Sequence, residues 1–139
     1  MKSMCSFAAL LVMIVSIGCS KSPPSQESLV EAFSKDVITY GILYPADTVT
    51  VLHEPSDLSN ALLGFEPYKD APSDQNVWTN PTAQIMVTLM SASIIDTEDS
   101  QHPYAGAIFF VVRGSDSSDI GMATYEYSRK DARWFHLGF

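Results

Sequence analysis

From residue 26 onward the apolar positions first fall three and four residues apart. Leu29, Phe33, Val37 and Tyr40, with Val30 beside them, line one side of a helix over Gln26–Tyr40, and Glu27, Glu31, Lys35 and Asp36 fall away from it. Ser25 or Ser22 is placed to cap its start, Pro23 suits a first turn, and Gly41 suits its end. Beyond Pro45 the period shortens to two. In TVTVLHE, Val49, Val51 and His53 alternate with Thr48, Thr50 and Leu52, the pattern of a strand. Ser56-Asp57 followed by LSNALL and Gly64 predicts a short helical turn. The three prolines and many turn formers of PYKDAPSDQNVWTNP, residues 67–81, predict a long irregular excursion that carries Trp78.

Residues 82–95 (TAQIMVTLMSASII) fit two templates. Alternation sets Ile85, Val87 and Leu89 against Met86 and Met90, whereas helical spacing groups Ile85, Leu89 and Ala92. The β-branched content and the lack of a good cap favour a strand. The last third reads as three strands with short turns between them: 104–113, 120–128 and 133–139. The expected fold class is α+β: an N-terminal helix packed on a curved, mostly antiparallel sheet that ends in a three-strand meander. That order of elements resembles the cystatin-like and NTF2-like arrangement, in which a curled sheet wraps a helix. The resemblance rests on element order alone and carries no function with it.

What precedes the helix is of another kind. Met1-Lys2-Ser3 puts one positive side chain ahead of FAALLVMIVSI, residues 7–17, an uncharged run too short to cross a bilayer as a helix. A positive start, a brief apolar core and a small residue at its end are the marks of a secretory signal peptide. The boundary Ile17-Gly18-Cys19 resembles the lipobox of bacterial lipoprotein precursors, with Ser16 standing where a leucine or similar residue is usual. The resemblance implies cleavage before Cys19, acylation of its thiol, and an anchor of two or more acyl chains. Ser20 after the cysteine implies, by the same resemblance, transport to the periplasmic face of the outer membrane. The expected organisation is a signal peptide over 1–18, a lipidated cysteine and polar tether over 19–26, and a single domain over 27–139.

Processing of this kind changes the charge and the cysteine count. The chain carries 8 Lys and Arg against 16 Asp and Glu, and loss of Lys2 leaves seven basic against sixteen acidic side chains. A surface that negative repels nucleic acid and anionic headgroups, so no nucleic-acid partner is expected. Cys5 would leave with the signal and Cys19 would carry lipid, so the domain would hold no disulfide, thiolate nucleophile or thiolate metal site.

The residues that could carry chemistry are scattered. His53, His102 and His136 lie far apart and show no metal-ligand spacing. GSDSSDIG and DTEDS gather acids in short loops without the interval of a calcium loop. There is no G-x-S-x-G elbow, and Glu126 is the one acid placed centrally in an expected strand. Neither a cofactor, a metal nor an enzymatic activity is expected. Aromatic side chains instead crowd the C-terminal strands, and neighbours such as Phe109 and Phe110 must face opposite ways. Interfaces favour exposed Tyr, Trp and Arg, which makes Trp78, Tyr104, Tyr125, Tyr127, Arg129 and Trp134 the candidate interface. The expected function is a non-enzymatic envelope lipoprotein that binds an envelope or periplasmic protein in an assembly, accessory or inhibitor role. The alternative is a small-ligand-binding or weakly catalytic domain with a pocket between helix and sheet.

Overall fold

A computed structural model describes residues 23–43, 50–52 and 61–137. Helix α1 spans Gln26–Tyr40. Ser25 caps it: its Oγ accepts from the Ser28 N–H at 3.1 Å, and the Ser28 hydroxyl donates to the Ser25 carbonyl at 2.6 Å. Glu27 sits in the first turn, where the helix dipole favours negative charge. Leu29, Phe33 and Val37 are fully buried, as their spacing predicts. The helix stops at Gly41, whose φ of +84° lets its N–H reach the carbonyls of Asp36 and Val37. A Cβ on Gly41 would collide with the Leu62 carbonyl oxygen, so only glycine fits.

Two antiparallel sheets follow. The small one joins β1 (Ile42–Leu43), β2 (Thr50–Val51) and β3 (Ala61–Leu62), with β1 in the middle. The strand expected in TVTVLHE is present at Thr50–Val51; Leu52 follows it, its N–H bonding the Gly41 carbonyl at 2.9 Å, and residues 48, 49, 53 and 54 lie outside the described residues. The helical turn expected over Ser56-Asp57 and LSNALL does not extend to its end: Ala61–Leu62 is extended and pairs with β1, and residues 56–60 lie outside the described residues. Two residues of LSNALL are thus drawn into a sheet, where β1 supplies the backbone partners that a lone helical turn would lack.

The large sheet contains β4 (Glu66–Pro67), β5 (Val77–Asn80), β6 (Ile85–Asp96), β7 (Tyr104–Arg113), β8 (Ser118–Ser128) and β9 (Arg133–Leu137). Its six strands lie in chain order, each antiparallel to the next, and the curved sheet packs on α1. The three-strand meander at its end is present as β7, β8 and β9. The strand reading of 82–95 holds, and the helical alternative falls. A bulge between Leu89 and Ser91 leaves Met90 as an extra residue, 61% exposed. The irregular excursion over 67–81 is corrected at its ends: 68–76 is irregular, but the segments on either side are paired. It is a hairpin: Glu66 and Pro67 pair with Thr79 and Trp78, and the Tyr68 N–H bonds the Val77 carbonyl. Pro72 lies in its turn and Pro67 on the edge strand, positions where a missing N–H costs little. Buried Asn80 ties the next turn down, donating to the Leu63 carbonyl at 2.7 Å and accepting from the Ala83 N–H.

Strand alternation gives the sheet two faces. Toward the helix point Trp78, Val87, Ile108, Phe110, Val112, Ala123, Tyr125 and Trp134, which with Leu29, Phe33 and Val37 make the core. Gly106 allows the close approach: a Cβ there would press on the Leu29 methyls at 2.8 Å. The other face carries Val77, Thr88, Val111 and Ile120 in one cross-strand row and Ser91, Phe109 and Met122 in the next.

Candidate functional site

The candidate interface residues divide sharply. Trp78, Tyr125 and Trp134 are 3%, 1% and 8% exposed and belong to the core under α1. Each carries a polar atom that must find a partner when buried, and each finds it on the helix. The Trp78 Nε1–H donates to Ser34 Oγ at 2.9 Å, the Trp134 Nε1–H donates to Ser28 Oγ at 3.0 Å, and the Tyr125 hydroxyl donates to Asp36 Oδ2 at 2.8 Å. Three sheet aromatics thus reach three polar residues spread along one helix. Phe33 sits between them, edge-on to Trp78 at 5.3 Å and tilted against Phe110 at 5.2 Å.

Tyr104 and Tyr127 are half-buried, and their rings meet edge-on at 6.3 Å. Tyr127 also meets the Trp134 ring at 5.2 Å. Arg129 alone of the six is exposed, in the turn between β8 and β9, where its backbone N–H bonds the Gln101 carbonyl. The six residues therefore do not form one surface. Five sit within or beside the packing beneath the helix.

The arrangement at Tyr125 brings a phenol, a carboxylate and the ring of His136 together, the two rings 5.0 Å apart. Burial, reinforced by the charge of Asp36 and the bond to it, pushes the Tyr125 phenol well above its ordinary value. It stays protonated at any physiological pH and acts as a fixed donor. Its place under the helix gives a substrate no route to it, which makes the contact a fastening.

Glu126 lies opposite Ala105 and Phe135 on the outer row, and its Oε1 is 3.7 Å from His102 Nε2. The acidic loop around DTEDS has its own internal use. Asp99 Oδ1 accepts from the backbone N–H groups of Gln101 and His102 at 2.8 and 3.2 Å, and these bonds hold its carboxyl below the usual value. Among the described residues no group of three or more His, Cys, Asp or Glu is placed to hold a metal ion. His53 and Cys19 lie outside the described residues.

The feature that sequence reasoning did not assemble is the outer face of the large sheet. Ile120 is 73% exposed there, and Met122 and Phe109 stand beside it, each more than two-fifths exposed. Ile95 and Leu137 continue the apolar character at the far rows. Ser91, Ser93, Ala107 and Thr124 separate them, and Arg113 and Glu126 mark opposite ends. The signal was present in IGMATYEYS, whose two alternating sets each contain large side chains. The set with Gly121 and Ala123 lies beside bulky Phe110 and Ile108 on the inner face, which sends Ile120 and Met122 outward.

Comparison with models of known protein families, with curated proteins and with solved structures finds no match.

Proposed function

We propose that this chain is a bacterial envelope lipoprotein, anchored through acylated Cys19, whose domain binds another envelope or periplasmic protein through the outer face of the large sheet. One observation carries the binding reading: Phe109, Ile120 and Met122 form an exposed apolar stripe on a face that no described element covers. Contiguous apolar surface with a polar rim marks interaction sites in monomeric proteins. The anchor is supported by the lipobox-like Ile17-Gly18-Cys19, the apolar run before it and the polar, proline-bearing segment after it. Ser20 favours the periplasmic face of the outer membrane. Assembly, accessory and inhibitory roles all make use of such a face. The likeness to cystatin-like and NTF2-like arrangements rests on element order and adds no activity. The ligand-pocket reading has less behind it, because Tyr125 and Trp134 fill the centre of the contact between helix and sheet and leave only open grooves at its sides.

A photo-cross-linking side chain at position 122, in the full chain on native membranes, tests this. A discrete adduct from 122 is expected, with none from position 35 on the exposed helix side. Replacing Phe109 with Thr is expected to abolish it, and Cys19→Ser to release the protein from the membrane fraction. Equal adducts from both positions, or none at 122 in a folded and anchored protein, would overturn the binding reading. A Cys19→Ser form that still sediments with membranes would overturn the anchor.

A further inference from the structure

Strand β6 is twelve residues long, but its neighbour β5 pairs only with Ile85–Thr88. The Leu89 N–H still bonds the Asn76 carbonyl at 3.0 Å. From Ser91 to Asp96 the strand is paired on its β7 side, and among the described residues nothing pairs with the other edge from Met90 to Asp96. Met90, Ser91, Ser93 and Ile95 are all exposed. Natural sheets guard such edges with charges, prolines or short length. Here MSASII, residues 90–95, has no charge and no proline, and the bulge at Met90 lies at its start.

This edge borders an open groove of about 770 Å³ between β6 and the first half of α1. Val30, Leu89 and Ala92 give it apolar walls, while Glu27 and Glu31 give it two carboxylates and no lining residue is cationic. A second groove, on the β9 side of the helix, differs in holding Lys35 and Arg133 beside Glu31. The edge of β6 thus joins unpaired backbone groups to a trough of one charge.

We infer that the 90–96 edge of β6 is a strand-addition site for an extended cationic peptide segment of another protein. Main-chain bonds to β6 would supply affinity, and alternate side chains would fill the groove: apolar ones against Val30, Leu89 and Ala92, basic ones at Glu27 and Glu31. Seven residues of edge extend about 23 Å, enough for a segment of similar length. Charge chooses this occupant over a second copy of the chain. Two-fold pairing of β6 edges would bring two Glu27–Glu31 sets toward one seam in a protein already carrying a formal charge of -8. The inference does not depend on the outer apolar face.

The test uses the full chain in lipid nanodiscs and a capped heptapeptide, Lys-Thr-Val-Thr-Val-Thr-Lys. Two controls accompany it: the same peptide with Glu for Lys, and one with alternate backbone nitrogens methylated so that it cannot pair. Binding is followed by chemical shift and amide exchange. The lysine peptide is expected to slow exchange at amides within 90–96 and to bind at least tenfold more tightly than either control. Glu27→Gln with Glu31→Gln is expected to weaken it at least fivefold and flatten its salt dependence, whereas Asp119→Asn, an exposed acid on β8, leaves it unchanged. Three outcomes would each overturn the inference: equal binding of lysine and glutamate peptides, indifference to N-methylation, or protection of 90–96 by self-association of the free protein.

Discussion

The two faces of the large sheet are built from the same strands and both carry large apolar side chains, yet only the inner one is covered by the helix. On the inner face the polar tips of the buried Trp and Tyr side chains are each matched from the helix: Trp78 to Ser34, Trp134 to Ser28 and Tyr125 to Asp36. On the outer face Val77 and Val111 are buried among their neighbours, while Phe109, Ile120, Met122, Ile95 and Leu137, which need no such partner, remain exposed. Apolar content therefore does not tell a core face from an exposed one. What tells them apart is whether the polar tips of the aromatics are answered from an element packed above.

Substitutions can break this comparison, and the largest effect belongs to the inner face. Phe33→Ala removes a ring that touches Trp78 and Phe110 and is expected to cost about 3–5 kcal/mol in urea unfolding. A loss below 1 kcal/mol would mean the helix is not seated as described. Tyr125→Phe comes next, at about 1.5–3 kcal/mol, because it deletes a hydrogen bond to a carboxylate. It also has a signature in pH. An unfolded tyrosine ionises near its ordinary 10.0, while the folded phenol is held higher and keeps its proton. The native state then binds more protons than the unfolded one, so wild-type stability should fall as pH rises above 10.0. Because Phe cannot ionise, the Phe variant should lose that component of the decline, which unfolding curves measured between pH 8 and 11 would show.

The serines sharpen the picture at smaller scale. Ser34→Ala leaves the Trp78 indole N–H buried without its partner and is expected to cost about 1–2 kcal/mol. Ser28→Ala should cost about 0.5–1 kcal/mol, since Trp134 lines the open groove on the β9 side and water can replace the serine. Chemical denaturation of the two single variants checks both values. A Ser28 effect larger than the Ser34 effect would reverse the order argued here.

Much of this fold was legible in the sequence, and the reason is periodicity. Leu29, Phe33 and Val37 announce the helix, and 104–113, 120–128 and 133–139 announce the meander, present as Tyr104–Arg113, Ser118–Ser128 and Arg133–Leu137, because long runs carry many repeats of their period. The hairpin at Trp78 was not legible. Its β5 strand is four residues long and sits behind a turn containing Pro72, so local turn chemistry outweighed a weak alternation. Face assignment was hidden for a different reason. Tyr125 and Tyr127 alternate with Glu126 just as Ile120 and Met122 alternate with Gly121 and Ala123, and either set is plausible as the core. The choice is made by shape. Gly106 and small residues leave room for the helix, so Trp78, Tyr125 and Trp134 were drawn beneath it rather than left for a partner.

The most direct measurement is the unfolding free energy of the double variant Phe109→Thr with Met122→Thr. If the outer face is a surface kept for a partner, threonine suits the exposed strand positions and the variant should lie within about 0.5 kcal/mol of the parent. A loss of about 3 kcal/mol or more, of the size seen when core side chains are truncated, would contradict the account. It would mean that this chain itself packs over Phe109 and Met122, and that the apolar stripe is a second core.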